Sequence, residues 1–151
     1  MGHTLVMSAL PDITGVWHLT SYLLKNLATG ESTNVFGANP SGILILLPEG
    51  RMAAIMTPSG QPPPLTDVNR ARAFRELIAY SGRYRLEPPD RFVTTVDVAW
   101  FQPWLGTEQA RSFNLDGETL NIVTDPSTTP LTGDAPVVGV LSWQREVDSG
   151  K

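Results

Sequence analysis

Three side chains in the second half of the chain, Tyr84, Asp97 and Arg111, could together bind and polarise a carbonyl or an enol. Arg111 shares strand parity with Gln109, Phe113 and Leu115, so the wall that receives Phe113 also receives the guanidinium two residues away. Out of water a guanidinium cannot shed its proton, and it needs acceptors or a counter-charge. With the following turn centred near Trp104, Asp97 comes to lie opposite Arg111 on the same face. The pair is then either a cross-strand ion pair on the solvent side or a polar anchor inside an apolar pocket. Tyr84 shares parity with Leu86 rather than with Arg83 and Arg85, and a phenol turned inward needs a partner. In this arrangement Asp97 is the base, its pKa raised by burial or lowered by a close Arg111. A pocket could equally accelerate a cyclisation with no proton transfer, by holding a flexible chain folded in a reactive shape.

Around these catalytic candidates the sequence supplies a wall for a ligand: Trp17, Ser21, Met52, Met56, Trp100, Gln109, Phe113 and Trp143. Methionines beside alanines in Arg51–Thr57 suit either a loosely filled core or an adaptable ligand surface. Other chemistries are poorly supported. The two histidines, His3 and His18, lie apart from each other and from any carboxylate cluster, so no metal is expected. Ser21 is in mid-strand, without the strained turn of a hydrolase nucleophile, and Gly37, Gly42 and Gly50 lack the spacing of a phosphate-cradling loop. No cysteine is present, which removes disulfides, thiolate ligands and a thiol nucleophile. No cofactor is implied.

The elements that must position these residues are mostly strands. Gly82–Leu86, Arg91–Phe101, Thr107–Leu115 and Glu118–Thr124 form a meander, joined by turns at Pro88-Pro89-Asp90, Pro103-Trp104-Leu105-Gly106 and Asp116-Gly117. Upstream, Gly15–Lys25 alternates, with Trp17, Leu19, Ser21 and Leu23 on one side and His18, Thr20 and Tyr22 on the wetter one. A weak strand over Ser32–Phe36 follows, then Ile43–Leu47 and Arg51–Thr57 about a Pro48-Glu49-Gly50 turn. Thr66 can cap a helix from about Asp67 to Ala79, with Val68, Ala71, Phe74, Leu77 and Ile78 along one face that should pack on the sheet or close one end of it. Pro126–Pro136 reads as a long loop, and Val137–Val147 as the last strand. Eight to nine antiparallel strands with one inserted helix make an all-β protein, and closure into a barrel removes the exposed edges.

At 151 residues the chain suits one domain, residues 13–147, with a flexible lead-in at 1–12 and a short tail at 148–151. Thirteen prolines and thirteen glycines fit many turns between short elements. A net charge of −4 with scattered Lys and Arg gives no basic footprint for nucleic acid. No stretch approaches a membrane span and none reads as a secretion signal, so a cytoplasmic protein with no membrane partner is expected. Exposed Tyr22 and Leu24 permit a homodimer without requiring one over a monomer.

Several segments, in order, resemble the lipocalin-like domain family. Gly15-Val16-Trp17 is similar to the Gly-x-Trp start of that fold, and Pro40-Ser41-Gly42-Ile43-Leu44 with Pro48-Glu49-Gly50-Arg51-Met52 resembles its next hairpin. Ala79–Tyr84, Trp104–Phe113 and Leu115–Leu120 resemble later segments, so the similarity spans roughly residues 13–146. The resemblance implies a closed calycin-type barrel in which Arg145 stacks on Trp17, and a cup for a small hydrophobic substrate or ligand. Members often carry histidines where this chain has Thr94 and Thr95, which removes an acid–base role at those positions. Such barrels serve as cofactor-free cyclases, isomerases, pericyclases or dehydratases on polyketide- or terpenoid-like intermediates of natural-product pathways. They also serve as passive carriers, and the fold itself does not choose.

Overall fold

A computed structural model describes residues 10–127 and 135–147. His3, most of the expected lead-in, the middle of the Pro126–Pro136 loop and the tail lie outside the described residues. Nine strands run β1 (Gly15–Asn26), β2 (Ser32–Asn34), β3 (Ser41–Leu46), β4 (Arg51–Thr57), β5 (Ile78–Glu87), β6 (Arg91–Ala99), β7 (Glu108–Asp116), β8 (Thr119–Thr124) and β9 (Val137–Arg145). All pairings are antiparallel, and β1 pairs with both β3 and β9, which closes an 8-stranded barrel and leaves β2 as a flap on β1. The expected barrel is therefore the observed one.

One end of the barrel is plugged. Trp17 is fully buried there, its indole N–H donating to Ile13 O at 3.0 Å. The Arg145 guanidinium lies 4.3 Å from the Trp17 ring centroid, as the resemblance implied, and donates to Thr14 O at 2.6 Å and to the Glu118 carboxylate. Such a cation–π contact contributes on the order of 0.5–2 kcal/mol. Leu46, Met52 and Leu120 complete the plug, all essentially without exposure.

At the other end, helix α1 (Asp67–Arg75) hangs over the mouth. Thr66 caps it as expected, Oγ1 accepting from Asn69 N at 3.1 Å, but the helix stops at Arg75 rather than near Ala79. Glu76 N–H closes on Arg72 O, and Ile78 and Ala79 are drawn into β5, where they pair with Met56 and Ile55. The apolar face, expected to pack on the sheet or to close one end of it, is not packed on the sheet: no α1 residue is buried, and Val68 and Phe74 are 75% and 51% exposed.

Two bulges reset the side-chain parity. In β1, Leu19 pairs with Trp143 and Ser21 with Ser142, so Thr20 is an extra residue and everything after it changes face. Tyr22, expected on the wetter side with His18, therefore turns inward against Phe36, with ring centroids 5.0 Å apart. Ser21 turns outward beside Ser142, whose hydroxyl donates to Asn121 at 2.8 Å. In β6, Gly82 pairs with Val96 and Ser81 with Val98, leaving Asp97 as the extra residue.

Candidate functional site

The bulge in β6 decides where Asp97 goes. Its carboxylate lies on the outer surface, accepting from Arg51 Nη1 at 2.6 Å and Ser81 Oγ at 3.1 Å, and the Arg51 guanidinium holds its pKa below the ordinary carboxylate range. Arg111 is paired with Phe92, five positions earlier on β6, so the expected Asp97–Arg111 juxtaposition does not form. Loop length explains the difference. The 3-10 turn Gln102–Trp104 and the residues flanking it take up chain that a tight turn would have left in the ladder.

Tyr84 is also removed from Arg111. It does face inward, packed on Phe92 at 5.5 Å, but near the plugged end, where its hydroxyl donates to Leu47 O at 2.8 Å. Trp17, Met52 and Phe113 are core residues, and none is among the residues lining the cavity described next. Of the residues proposed from the sequence, Met56, Trp100, Arg111 and Trp143 are brought together. They line a cavity of about 270 Å³ in the open half of the barrel, at the lower edge of the range of about 300–1,000 Å³ usual for ligand pockets.

Tyr22, Tyr80 and Trp104 join this lining, and sequence reasoning missed all three. The bulge hid Tyr22, the overlong helix obscured Tyr80, and Trp104 was read only as part of a turn. Tyr80 and Trp100 each meet Trp104 edge to face at 5.1 Å, and Trp100 Nε1 donates to Phe74 O at 3.2 Å, tying the end of α1 to the mouth. Trp100 and Trp104 also border an outer groove with Phe74, so this aromatic pair partitions the interior from one approach.

Arg111 partitions it from the other. With Tyr22 and Thr124 it borders both the inner cavity and an outer recess of about 540 Å³ that includes Gln109 and Asp125. Its Nη2 donates to Gln109 Oε1 at 3.0 Å and its Nη1 to Ala110 O at 2.9 Å. Among the described residues no carboxylate pairs with it; Asp125 is engaged by Arg91 through two contacts at 2.9 and 3.0 Å. Gln109 thus serves the site by holding the guanidinium. Aromatic faces alone attract cations by about 0.5–2 kcal/mol. A second cation about 6 Å from Arg111 would meet repulsion on the order of 3 kcal/mol at an effective dielectric near 20, so the cavity disfavours positive ligands.

With the plugged end, the closed barrel and the lined cavity established, the family follows. The description of the lipocalin-like domain matches residues 14–146. The chain belongs to the lipocalin-like domain family. No curated protein matches the sequence. Among solved structures, this lipocalin-like chain is similar to one described as EF1p2_mFAP2b bound to DFHBI, at 14% identity over 89% of this chain and 94% of that chain, with a TM-score of 0.45. Among the described residues, no group of His, Cys, Asp and Glu side chains is placed to hold a metal ion, and no helix is long and apolar enough to cross a membrane.

Burial sets the protonation of the lipocalin-like cavity. It raises the pKa of both Tyr22 and Tyr80, against a smaller opposing pull from Arg111, so both phenols are neutral donors at neutral pH. Tyr84 is raised as well, first by burial and then by Asp12 and Glu49. All three tyrosines of the chain are therefore shifted the same way. In ultraviolet titration of the native protein, no phenolate should form at the ordinary value of about 10. Because the folded pKa values lie above the unfolded ones, the associated stability is present below about pH 10 and is lost as pH rises through the folded values, so phenolate absorbance should appear above the ordinary tyrosine range. A reversible step near the free-tyrosine value without loss of tertiary signal would overturn this assignment.

Proposed function

We propose that the barrel is a cofactor-free cyclase or isomerase that takes up a small apolar, polyketide- or terpenoid-like molecule and holds its carbonyl against Arg111. The single observation that supports this most is a guanidinium with no carboxylate partner among the described residues, bordering an aromatic cavity beside two neutral phenols. A fixed cation aimed where negative charge develops stabilises an enolate-like transition state, and it needs no rearrangement at the moment of reaction. Tyr22 and Tyr80 can donate to the same oxygen. The walls formed by Trp100, Trp104 and Trp143 restrict a flexible chain to a folded shape, which converts lost freedom into rate.

With Asp97 on the outer surface, no carboxylate or imidazole is among the residues lining the cavity. The reaction class that fits is one in which the substrate rearranges its own bonds around a polarised carbonyl, as in an intramolecular cyclisation or a pericyclic step. The same lack of a base favours a second reading, a carrier that binds the molecule and releases it unchanged. Incubation with candidate polyketide and terpenoid intermediates, followed by mass and chiral analysis, separates the two. A single enantiomer formed faster than in buffer supports the enzyme; tight binding with racemic, uncatalysed conversion supports the carrier; absence of binding across the panel removes both.

A further inference from the structure

The hydrogen-bonding character of the inner cavity is one-sided. Arg111 offers a guanidinium with five N–H donors and no acceptor, of which contacts to Ala110 O and Gln109 Oε1 occupy part. Tyr22 and Tyr80 offer phenol hydroxyls. Trp143 belongs to the same lining, is 1% exposed, and its indole Nε1–H is buried with no acceptor among the described residues. On the other side, the Thr124 hydroxyl oxygen accepts from Gly139 N at 2.7 Å, and the strand carbonyls are engaged in the ladder. No lining residue is an Asp, a Glu or a His.

A cavity walled by aromatic rings, with one guanidinium, two phenol hydroxyls and no carboxylate or imidazole in its lining, is complementary to a flat apolar body bearing acceptor oxygens and negative charge. We infer that the ligand is an organic acid bound as its anion: an aromatic or polyene molecule whose delocalised oxyanion, carboxylate or enolate, faces Arg111. This rests on the proposed small-molecule reading and narrows it to a charge class. A neutral hydrocarbon would leave the free N–H groups of the guanidinium unpartnered, and a cation would be repelled. A planar two-oxygen anion matches the guanidinium fork in a way that a lone carbonyl does not.

Tryptophan fluorescence offers the readout, since Trp100, Trp104 and Trp143 all line the cavity. Four probes of similar size are titrated into the full chain: naphthoate, neutral naphthamide, naphthylmethylammonium, and benzoylacetone as the enolisable source. Naphthoate should bind at least about tenfold more tightly than naphthamide, with the ammonium weakest, as expected for charge-assisted hydrogen bonds. Arg111→Gln should erase the difference between naphthoate and naphthamide, with naphthoate losing by far the more affinity and the circular dichroism spectrum unchanged. Benzoylacetone that acquires its enolate absorption band on binding at neutral pH assigns the enolate class; binding of naphthoate without that band assigns the carboxylate class. Naphthamide binding as tightly as naphthoate overturns the anion inference and leaves the apolar-ligand barrel standing. Silence from all four probes, confirmed by equilibrium dialysis, removes the barrel reading together with the inference.

Discussion

Arg111→Met should give a more stable barrel that has lost its ligand. Methionine is similar in length and apolar, and it removes a half-buried charge that forms no direct ion pair with a carboxylate among the described residues. Replacing buried ionic groups by apolar residues of similar size is often neutral or stabilising by about 1–4 kcal/mol. Two acceptors already serve Arg111, so the gain belongs at the low end, about 1 kcal/mol or roughly 2–4 °C in Tm for a domain of this size. Binding of naphthoate should fall by about 10- to 150-fold, the value of hydrogen bonds to a charged group. A stability rise coupled to a binding loss is the signature of a residue kept for function. Scanning calorimetry and titration calorimetry on the same preparations check it. A variant that melts lower and binds equally well would make Arg111 a structural residue.

Gly82→Ala should damage the fold more than any other single methyl group added to the barrel. A Cβ at Gly82 would lie 2.1 Å from the Thr95 carbonyl oxygen and 2.9 Å from Thr94 Cγ2, and the first of these is backbone that cannot swing aside. The close approach follows from the bulge at Asp97, which sits beside the Ser81–Gly82 step. Relieving it requires β5 and β6 to part, at an expected cost of about 3 kcal/mol or more. Gly60→Ala is the control: its φ of +74° strains a side chain, yet no atom lies within 4 Å, so about 1–2 kcal/mol is expected. Urea unfolding of the two variants measures the contrast. Equal midpoints would mean that the β6 bulge is not where it is placed here, and the outward position of Asp97 would fall with it.

Both variants act on features of different visibility in the sequence. Arg111 could be read directly, because parity along a strand is strict: Phe113 must be buried, and two residues earlier points the same way. Trp143 and Met56 followed from the same rule in β9 and β4. The error at Tyr22 came from applying that rule across Thr20, where one extra residue exchanges the faces without any glycine or proline to announce it. Asp97 failed for the same reason and for a second one. Its expected partner depended on the length of the turn at Gln102–Trp104, and register shifts with every residue a loop takes up. In α1 the apolar spacing of Val68 and Phe74 was real, but spacing says only which residues share a face, and here that face is left largely uncovered.

Local chemistry along the chain was enough to determine an all-β barrel, its strand sequence and the inward direction of Arg111, because alternation, turn residues and composition act over a few positions; the Arg145–Trp17 closure came from the resemblance. Tertiary structure alone decided which aromatic rings meet Arg111, that no carboxylate accompanies it among the described residues, and that the cavity occupies only the open half of the barrel. Those depend on how strands far apart in sequence are staggered against one another, and a single bulged residue changes that stagger for every side chain beyond it.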